Sequence, residues 1–263
     1  MHKYANPAKF KSLAGKIRPV AMLLFLALGI PGLYLGLIAS PEDGLQGQSV
    51  RIMYVHVPAA WMATFTYMSL AIAAFVSLVW KHPLATLSAR AMAPIGAVFT
   101  ALALMSGALW GKPTWGTYWI WDGRLTSVLV LFFLYLGYMA LWQSIEDEEK
   151  AGRVTSLLAL AGVVNLPIIK FSVDWWSTLH QPASVMRLDG PTMSSEMLTP
   201  LLLMALAFNA LMVVLVLDRI QLEMDKRRLK SLTLQLGAAA DRPAGPANQP
   251  PSQESGTVGE GAL

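Results

Sequence analysis

The 263-residue sequence contains no cysteine. This absence excludes disulfide bonds, thiol redox relays and thiolate metal ligands. It also excludes a covalently attached c-type haem, which requires a Cys-x-x-Cys-His segment. The sequence has no Gly-x-x-x-x-Gly-Lys-[Ser/Thr] segment either, so the chain does not bind ATP through a P-loop. Functions that depend on reactive thiols or on such a nucleotide loop are therefore ruled out.

Charged residues are also scarce. They make up 14% of the chain, against about 25% in a typical soluble domain, whereas apolar residues make up 55%. Between the clusters of charge run apolar stretches of roughly twenty residues, long enough to cross about 30 Å of hydrocarbon as helices. The composition therefore predicts an all-α, polytopic integral membrane protein. The net charge of +4 does not indicate a nucleic-acid partner, because the basic residues are distributed as a membrane topology requires.

Six apolar stretches predict six transmembrane helices. Pro19, Pro58 and Pro200 stand near the starts of three of them, where the missing N–H of proline is tolerated. The first stretch is longer than the apolar core of a signal peptide, about 7–15 residues, so we predict that it remains as a membrane helix. The predicted helices cover roughly residues 19–39, 58–80, 92–110, 126–145, 154–171 and 197–218.

Lysine and arginine predict the orientation of these helices. Loops that are rich in the two residues remain in the cytoplasm. Of the 20 lysines and arginines, fifteen lie in the two terminal segments and in the second-to-third and fourth-to-fifth connections. Only five lie on the other side. Both termini are therefore predicted to be cytoplasmic, and the loops near residues 40–57, 110–125 and 172–196 are predicted to face the opposite compartment.

The chain divides into four segments by composition. Residues 1–18 are predicted to be a basic cytoplasmic N-terminus, and residues 19–218 a six-helix membrane domain. Residues 219–236 combine apolar residues at helical spacing with lysine and arginine, which predicts a basic cytoplasmic helix at the inner leaflet. Residues 237–263 are rich in glycine, proline and polar residues and are predicted to be disordered.

The stretch WGKPTWGTYWIWDGRLTS, at residues 110–127, holds four of the nine tryptophans. Its glycines and Pro113 predict a tryptophan-rich periplasmic loop rather than a continuous helix. One interpretation is an aromatic belt, because tryptophan rings favour the membrane interface. The other is a platform on which a large planar ligand such as a porphyrin stacks. Composition alone leaves both interpretations open.

Two histidines favour the platform. His56, in MYVHVPAAW, and His180, in WWSTLHQPAS, fall in the two predicted outer loops that flank the tryptophan stretch. Neutral imidazole is a common axial ligand of haem iron, and histidines from two hairpins can hold the iron from opposite faces. The alternative is that each is a polar side chain at the interface. Because both lie outside and beside tryptophan, the pair favours ligation.

Arg124 has two interpretations. A haem carries two propionate carboxylates, and arginine binds carboxylate through two parallel hydrogen bonds, so Arg124 is a candidate propionate contact. Alternatively, Arg124 pairs with Asp122 and shapes the loop. The sequence leaves these two interpretations equally open.

The residues described above resemble the signature of a known family. The pattern WGxxxWGxxWxWDxRLTS is similar to the WWD signature of haem-handling membrane proteins. YVHVPAAW and VDWWSTLHQ narrow the resemblance to cytochrome c maturation protein C, also called haem exporter protein C. The likeness spans roughly residues 19–218, and His56 and His180 stand where that family has its outward axial histidines. The signature positions, which correspond to the haem platform, are Trp110, Gly111, Trp115, Gly116, Trp119, Trp121 and Asp122.

The resemblance implies a function that composition does not show. Members of the family hold haem b at the outer face of the bacterial inner membrane and pass it to a periplasmic haem chaperone for c-type cytochrome biogenesis. They are haem-handling subunits rather than enzymes. Their partners are an ABC ATPase subunit, a second membrane subunit and a small single-helix subunit. The absence of a P-loop here fits that arrangement, because a partner would hydrolyse the ATP.

Two other functions are alternatives. A respiratory haem-b anchor subunit also uses paired histidines, but it usually buries them inside helices for electron transfer across the bilayer. A small-solute secondary transporter should carry ionisable residues deep within its helices. Only Asn165 and Asn209 are notably polar there in this sequence.

The predicted topology can be tested with reporter fusions. A reporter that is active only in the periplasm should be active when fused after residues 47, 117 and 190, and inactive after residues 85 and 150. The reason is the fifteen-to-five distribution of lysine and arginine. An active fusion after residue 85 would overturn the topology, and with it the placement of His56 and His180 on one side.

Overall fold

The regular structure of the described residues is helical. The computed structural model describes residues 7–176, 178–181, 184–185, 187 and 189–240, and within them the helices confirm the predicted all-α class. A π-helical turn, Leu35–Ala39, extends the first helix, and a 3₁₀ turn, Gln48–Ile52, leads into the second. The α-helices among the described residues are α1 (Pro7–Tyr34), α2 (Met53–Trp80), α3 (Pro83–Trp115), α4 (Gly123–Ser144), α5 (Glu148–Gly162), α6 (Asn165–Trp175) and α7 (Ser195–Ala240).

Six helical stretches of the described residues are long and apolar enough to cross a membrane, as the sequence predicts. Each begins before its predicted limit and three also end beyond it, because an apolar run marks only the part of a helix that lies in hydrocarbon, whereas the helix itself continues to its caps. The stretches are Ala8–Ala39, Gln48–Trp80, Pro83–Trp115, Gly123–Ser144, Glu148–Trp175 and Ser195–Gly237.

The tryptophan stretch is a loop over a shorter range than its glycines predict. Helix α3 continues to Trp115, and the chain turns at Gly116, whose φ of 79° lies in the left-handed region that favours glycine. The backbone N–H of Gly116 donates to the Lys112 carbonyl at 3.0 Å, which closes the helix. Helix α4 then begins at Gly123, so only the residues between these two helices are non-helical.

The fifth membrane segment contains a break that its apolar pattern does not predict. It consists of α5 and α6, separated by a turn at Val163 and Val164. The Asn165 side-chain amide donates to the Ser127 carbonyl of α4 at 2.9 Å. This hydrogen bond satisfies a buried polar group and fixes α6 beside α4. The break is invisible in the sequence because both turn residues are apolar.

Two buried tyrosines form the centre of the packing. Tyr67 of α2 and Tyr135 of α4 meet edge to face, with ring centroids 5.1 Å apart, and the Tyr135 hydroxyl donates to the Ala63 carbonyl at 2.8 Å. Each ring lies against a glycine of a neighbouring helix. A Cβ atom at Gly96 of α3 would overlap the Tyr135 ring, and one at Gly162 of α5 would overlap the Tyr67 hydroxyl. Small residues thus let these helices approach closely, as in other membrane bundles.

The first and last helices pack through small residues as well. A Cβ atom at Gly32 of α1 would lie 3.0 Å from the Met204 sulfur of α7, and one at Gly29 would lie 3.5 Å from Ala207. Arg18 and Asp218 form an ion pair with a nitrogen–oxygen distance of 2.6 Å. This pair is exposed, so its contribution is small.

The C-terminal part is a separate compact unit that begins at Asp225. Its described backbone is helical as far as Ala240, and this helix covers the basic segment that the sequence predicts at 219–236. Residues 1–6 and 241–263 lie outside the described residues. Residues 237–240 belong to α7 and not to the predicted disordered tail, and the disorder predicted for residues 241–263 stays a prediction.

The glycine–tyrosine packing predicts the effect of one methyl group. Gly96→Ala should lower the stability of the purified protein by about 1–3 kcal/mol, because the new Cβ would overlap the Tyr135 ring and force α3 and α4 apart. Thermal unfolding in detergent measures the change. Gly137→Ala is the matched control, since its Cβ would meet only Leu158, at 3.8 Å. Equal stability of the two variants would contradict this account of the core.

Candidate functional site

His56 lies in the first turn of α2 and faces α3. Its Nδ1 is 3.0 Å from the Ala103 carbonyl oxygen and 3.1 Å from the Ser106 hydroxyl. A carbonyl oxygen only accepts hydrogen bonds, so Nδ1 of the neutral ring carries the proton. The lone pair of the neutral imidazole is then on Nε2, which is the atom available to a ligand.

Two residues of α3 shape the space around His56. A Cβ atom at Gly107 would lie 2.8 Å from Cε1 of His56, so only glycine lets the ring approach α3 this closely. Trp110 meets the imidazole edge to face, with ring centroids 5.7 Å apart. The Trp110 indole N–H donates to the Gln46 side-chain oxygen at 2.9 Å, which connects the loop after α1 to the site.

His180 lies in the connection between α6 and α7 and reaches the start of α4. Its Nδ1 is 2.9 Å from Oδ2 of Asp122. The Thr178 hydroxyl donates to the same carboxylate oxygen and accepts the backbone N–H of His180 at 3.2 Å. The ring meets Trp115 edge to face at a centroid distance of 4.8 Å. His180 therefore also has Nδ1 engaged, and Nε2 is the atom left for a ligand.

Asp122 has two structural roles. Oδ1 accepts the backbone N–H of Leu125 at 2.7 Å and so caps α4, while Oδ2 accepts from Thr178 and His180. Burial raises the pKa of the Asp122 carboxyl, but the three hydrogen bonds outweigh burial, and the net pKa lies below its ordinary value. Asp122 is thus an anion at neutral pH.

At His180 burial and hydrogen bonding also shift the pKa in opposite directions, but here burial is the larger effect. Burial lowers the pKa of the imidazole and outweighs the hydrogen bond and the charge of Asp122, which raise it. The net pKa is lower than the ordinary value of a histidine. The ring is therefore neutral at pH 7, with its proton on Nδ1 beside the carboxylate.

The two histidines lie at the same end of the membrane helices, which we call the histidine end. It consists of the start of α2, the end of α3, the start of α4 and the end of α6. The last turns of α3 reach both rings, since Trp110 contacts His56 and Trp115 contacts His180. The positive charge of Arg124 also lowers the pKa of His180.

The other two tryptophans of the signature contact each other. Trp119 and Trp121 meet edge to face at 5.4 Å, and Trp121 is 75% exposed. The indole N–H of Trp119 is buried without a hydrogen-bond partner in the described part of the chain. A buried donor without an acceptor is costly, so this group is available to a ligand that carries an acceptor.

A groove of about 630 Å³ adjoins Asp122 between α4 and α6. The exposed indoles of Trp121 and Trp176 line part of this groove. Gly123 has no side chain, which lets the Trp176 ring approach α4. This volume is within the range typical of sites for small organic ligands, about 300–1,000 Å³. The lining residues are Trp121, Asp122, Gly123, Thr126, Ser127, Val130, Asn165, Ile168 and Trp176.

Arg124, in the first turn of α4, does not hydrogen-bond to Asp122 in the structure. Its guanidinium donates to the Ser172 hydroxyl at 3.4 Å and to the Lys170 carbonyl at 3.5 Å, both on α6. These are long, weak hydrogen bonds. The hydrogen bonds of Asp122 go instead to the α4 backbone, Thr178 and His180.

The sequence singled out the two histidines and the tryptophans but missed the groups that orient the imidazoles. The Ala103 carbonyl is a backbone group without a sequence signal. Thr178 resembles many other threonines. Asp122 is one of the platform positions that the family resemblance implies, although an Asp directly before an apolar helical run is also an N-cap signal, which predicts the bond to Leu125.

Comparison with known proteins identifies relatives over most of the chain. The family model described as Heme exporter protein C matches residues 1–235. The Heme exporter protein C of Bradyrhizobium diazoefficiens is 52% identical over 233 residues, which is 88% of this chain and 87% of the relative. The protein of the same name from Haemophilus influenzae is 47% identical over 88% of this chain and 94% of the relative. That from Escherichia coli K12 is 45% identical over 87% of this chain and 93% of the relative.

The close approach at Gly107 predicts that one methyl group disturbs His56. In Gly107→Ala the new Cβ would lie 2.8 Å from Cε1 of the ring and displace it from the Ala103 carbonyl. If His56 is the haem ligand that the resemblance implies, haem retention by the purified protein, measured from the visible spectrum, should fall about tenfold or more, because the hydrogen bond that orients the ring is lost. Gly44→Ala is the control, because no atom lies within 4 Å of its Cβ position. Full retention in Gly107→Ala would show that the position of His56 does not matter for binding.

Proposed function

The chain belongs to the Heme exporter protein C family, and from that premise we propose that it binds haem b at the outer face of the bacterial inner membrane. His56 and His180 are the axial ligands of the iron. The observation that carries the proposal is that both imidazoles lie at one end of the helices, each with Nδ1 engaged and Nε2 free to bind. Haem is the cargo of this site, and the chain contributes ligands and a platform rather than catalysis.

The donor set suits haem better than a free metal ion. A protein site for a bare transition metal typically uses three or four side-chain ligands. Among the described residues, no group of three or more His, Asp or Glu side chains converges to hold a metal ion. Two imidazoles are sufficient when the iron brings four porphyrin nitrogens of its own. The pair is therefore consistent with the axial coordination of haem.

The surroundings supply contacts for the rest of a haem molecule. The tryptophans of the histidine end offer flat apolar area, and the groove beside Asp122 is open and lined by indoles. The Trp119 indole N–H and the weakly bonded Arg124 guanidinium are donors suited to propionate carboxylates. We assign Arg124 to a propionate, since its hydrogen bonds do not go to Asp122.

The haem is passed from this site to a periplasmic haem chaperone, which delivers it for c-type cytochrome biogenesis. Trp121 and Trp176 are well exposed and leave an apolar surface next to the site for a partner.

The chain has no P-loop, so ATP hydrolysis falls to an ABC ATPase subunit of the same complex. A second membrane subunit and a small single-helix subunit complete that complex. Both termini of this chain are cytoplasmic.

The ligand assignment is tested by replacing each histidine. His56→Ala and His180→Ala should each weaken haem retention and remove the bis-histidine visible spectrum, because one axial position becomes vacant. Added imidazole should partly restore the spectrum of each single variant. The double variant should lose haem. Retention of an unchanged bis-histidine spectrum at full occupancy in His180→Ala would exclude His180 as a ligand.

Two further variants separate ligation from other effects. His82 caps the N-terminus of α3 at the opposite end of the helices, accepting the Ala85 N–H, so the control there is His82→Asn, which keeps a capping side chain. It should leave the spectrum and occupancy unchanged. Trp121→Ala should keep the bis-histidine spectrum at lower occupancy, because it removes stacking area but no ligand.

The delivery step is tested by adding the purified chaperone to the haem-loaded protein. The haem should move to the chaperone, and haem that stays in place would contradict delivery.

A further inference from the structure

The two proposed ligands have chemically different partners behind them. Nδ1 of His56 donates to the Ala103 backbone carbonyl, a neutral acceptor. Nδ1 of His180 donates to the Asp122 carboxylate, a charged acceptor, at 2.9 Å. The Asp122 side chain is 5% exposed and that of His180 is 19% exposed, so solvent weakens this contact little. The imidazoles are alike in type and unlike in environment.

A charged acceptor changes what an imidazole can do for a metal. A hydrogen bond to a carboxylate is roughly twice as strong as a bond between neutral groups. It also moves electron density toward Nε2 and makes the ring a stronger donor, as in carboxylate–histidine–metal arrangements. A carbonyl acceptor orients the ring but polarises it less. His180 is therefore built as the stronger of the two donors.

The carboxylate is itself held in place. Oδ1 of Asp122 caps α4 through the Leu125 N–H at 2.7 Å, and the Thr178 hydroxyl donates to Oδ2. His180 lies outside any helix, in the connection between α6 and α7. Its side chain is positioned by Asp122 and by the edge contact with Trp115. Asp122 thus joins a loop histidine to the rigid start of a membrane helix.

We propose that Asp122 is a positioning residue that acts through Nδ1 of His180 and makes the two axial ligands unequal, with iron–His180 the stronger bond and iron–His56 the weaker. The inference rests on the proposed function, because it requires both histidines to ligate haem. It gives Asp122 a role distinct from stacking. It also explains why Oδ2 points to the histidine loop and not to Arg124.

The test is a double-mutant cycle on the full-length protein. Asp122→Asn is chosen because asparagine caps a helix as well as aspartate does, so α4 keeps its start while the negative charge is lost. Ferric haem affinity and the reduction potential of the bound haem are measured in three backgrounds: wild type, His56→Ala and His180→Ala. Coupling between residues that act together appears as non-additivity in such a cycle.

The expected result is a loss that depends on the background. Asp122→Asn should weaken haem affinity about 10- to 100-fold in wild type and in His56→Ala, where His180 remains. It should have little effect in His180→Ala, where Asp122 has no ligand to act on. His180→Ala should cost more affinity than His56→Ala. In wild type the reduction potential should rise, because the ferric iron loses the influence of an anion.

Two controls exclude a structural explanation. Asp147 caps α5 in the same way, accepting the Glu149 and Lys150 N–H groups, but lies at the other end of the helices. Asp147→Asn should leave affinity and potential unchanged. Thr178→Val removes the hydroxyl that bonds Oδ2 while leaving the charge of Asp122. It should give a smaller loss with the same dependence on background.

The outcomes separate this inference from the proposed function. If wild type binds haem through both histidines but Asp122→Asn costs the same in all three backgrounds, Asp122 acts as a cap or a platform and the inference is wrong. An unchanged affinity and potential in wild type would overturn it as well. If removing either histidine leaves the spectrum unchanged, the proposed function fails first, and the inference fails with it.

Discussion

A hydrogen bond at Nδ1 of each imidazole is the constraint on which the histidine end depends. Free histidine has two tautomers and rotates about its side-chain bonds, so a bare pair of imidazoles would be a poor site. The Ala103 carbonyl and the Asp122 carboxylate fix one tautomer on each ring and commit Nδ1 to the protein. Both Nε2 atoms are then lone-pair donors before any ligand arrives, which lowers the cost of binding.

The hydrogen bond of His56 depends on a close approach of α2 and α3 at a small residue. Gly107 lets His56 lie on α3, and Gly96 and Gly162 let two buried tyrosines fill the space between helices α2 to α5. In a membrane, where lipid tails are as apolar as the helices, such packing and interhelical hydrogen bonds drive association. Gly107 therefore acts at the site itself, whereas Gly96 and Gly162 act on the separation of the helices that carry the parts of the site.

The sequence predicts the number of membrane helices better than it predicts their connections, and it brings the two histidines to attention. Long apolar runs indicate membrane helices whatever their periodicity, and histidines are few in this sequence, so both features are easy to recognise. The turn between α5 and α6 is hidden because Val163 and Val164 are apolar, and the extension of α3 to Trp115 overrides the glycine and proline of that stretch. The Ala103 carbonyl has no sequence signature at all. Groups that orient an imidazole through a hydrogen bond are brought to it by tertiary packing, which a sequence pattern does not encode.

Coordination of the haem iron by both histidines is tested most directly by counting the histidine nitrogens bound to iron. The protein would be produced with ¹⁵N-labelled histidine, loaded with haem and examined in the ferric state by electron–nuclear double resonance. We expect a low-spin iron with two coordinated histidine nitrogens, which differ in hyperfine coupling because one ring donates a hydrogen bond to a carboxylate and the other to a carbonyl. A high-spin iron, or a single coordinated histidine nitrogen, would contradict it.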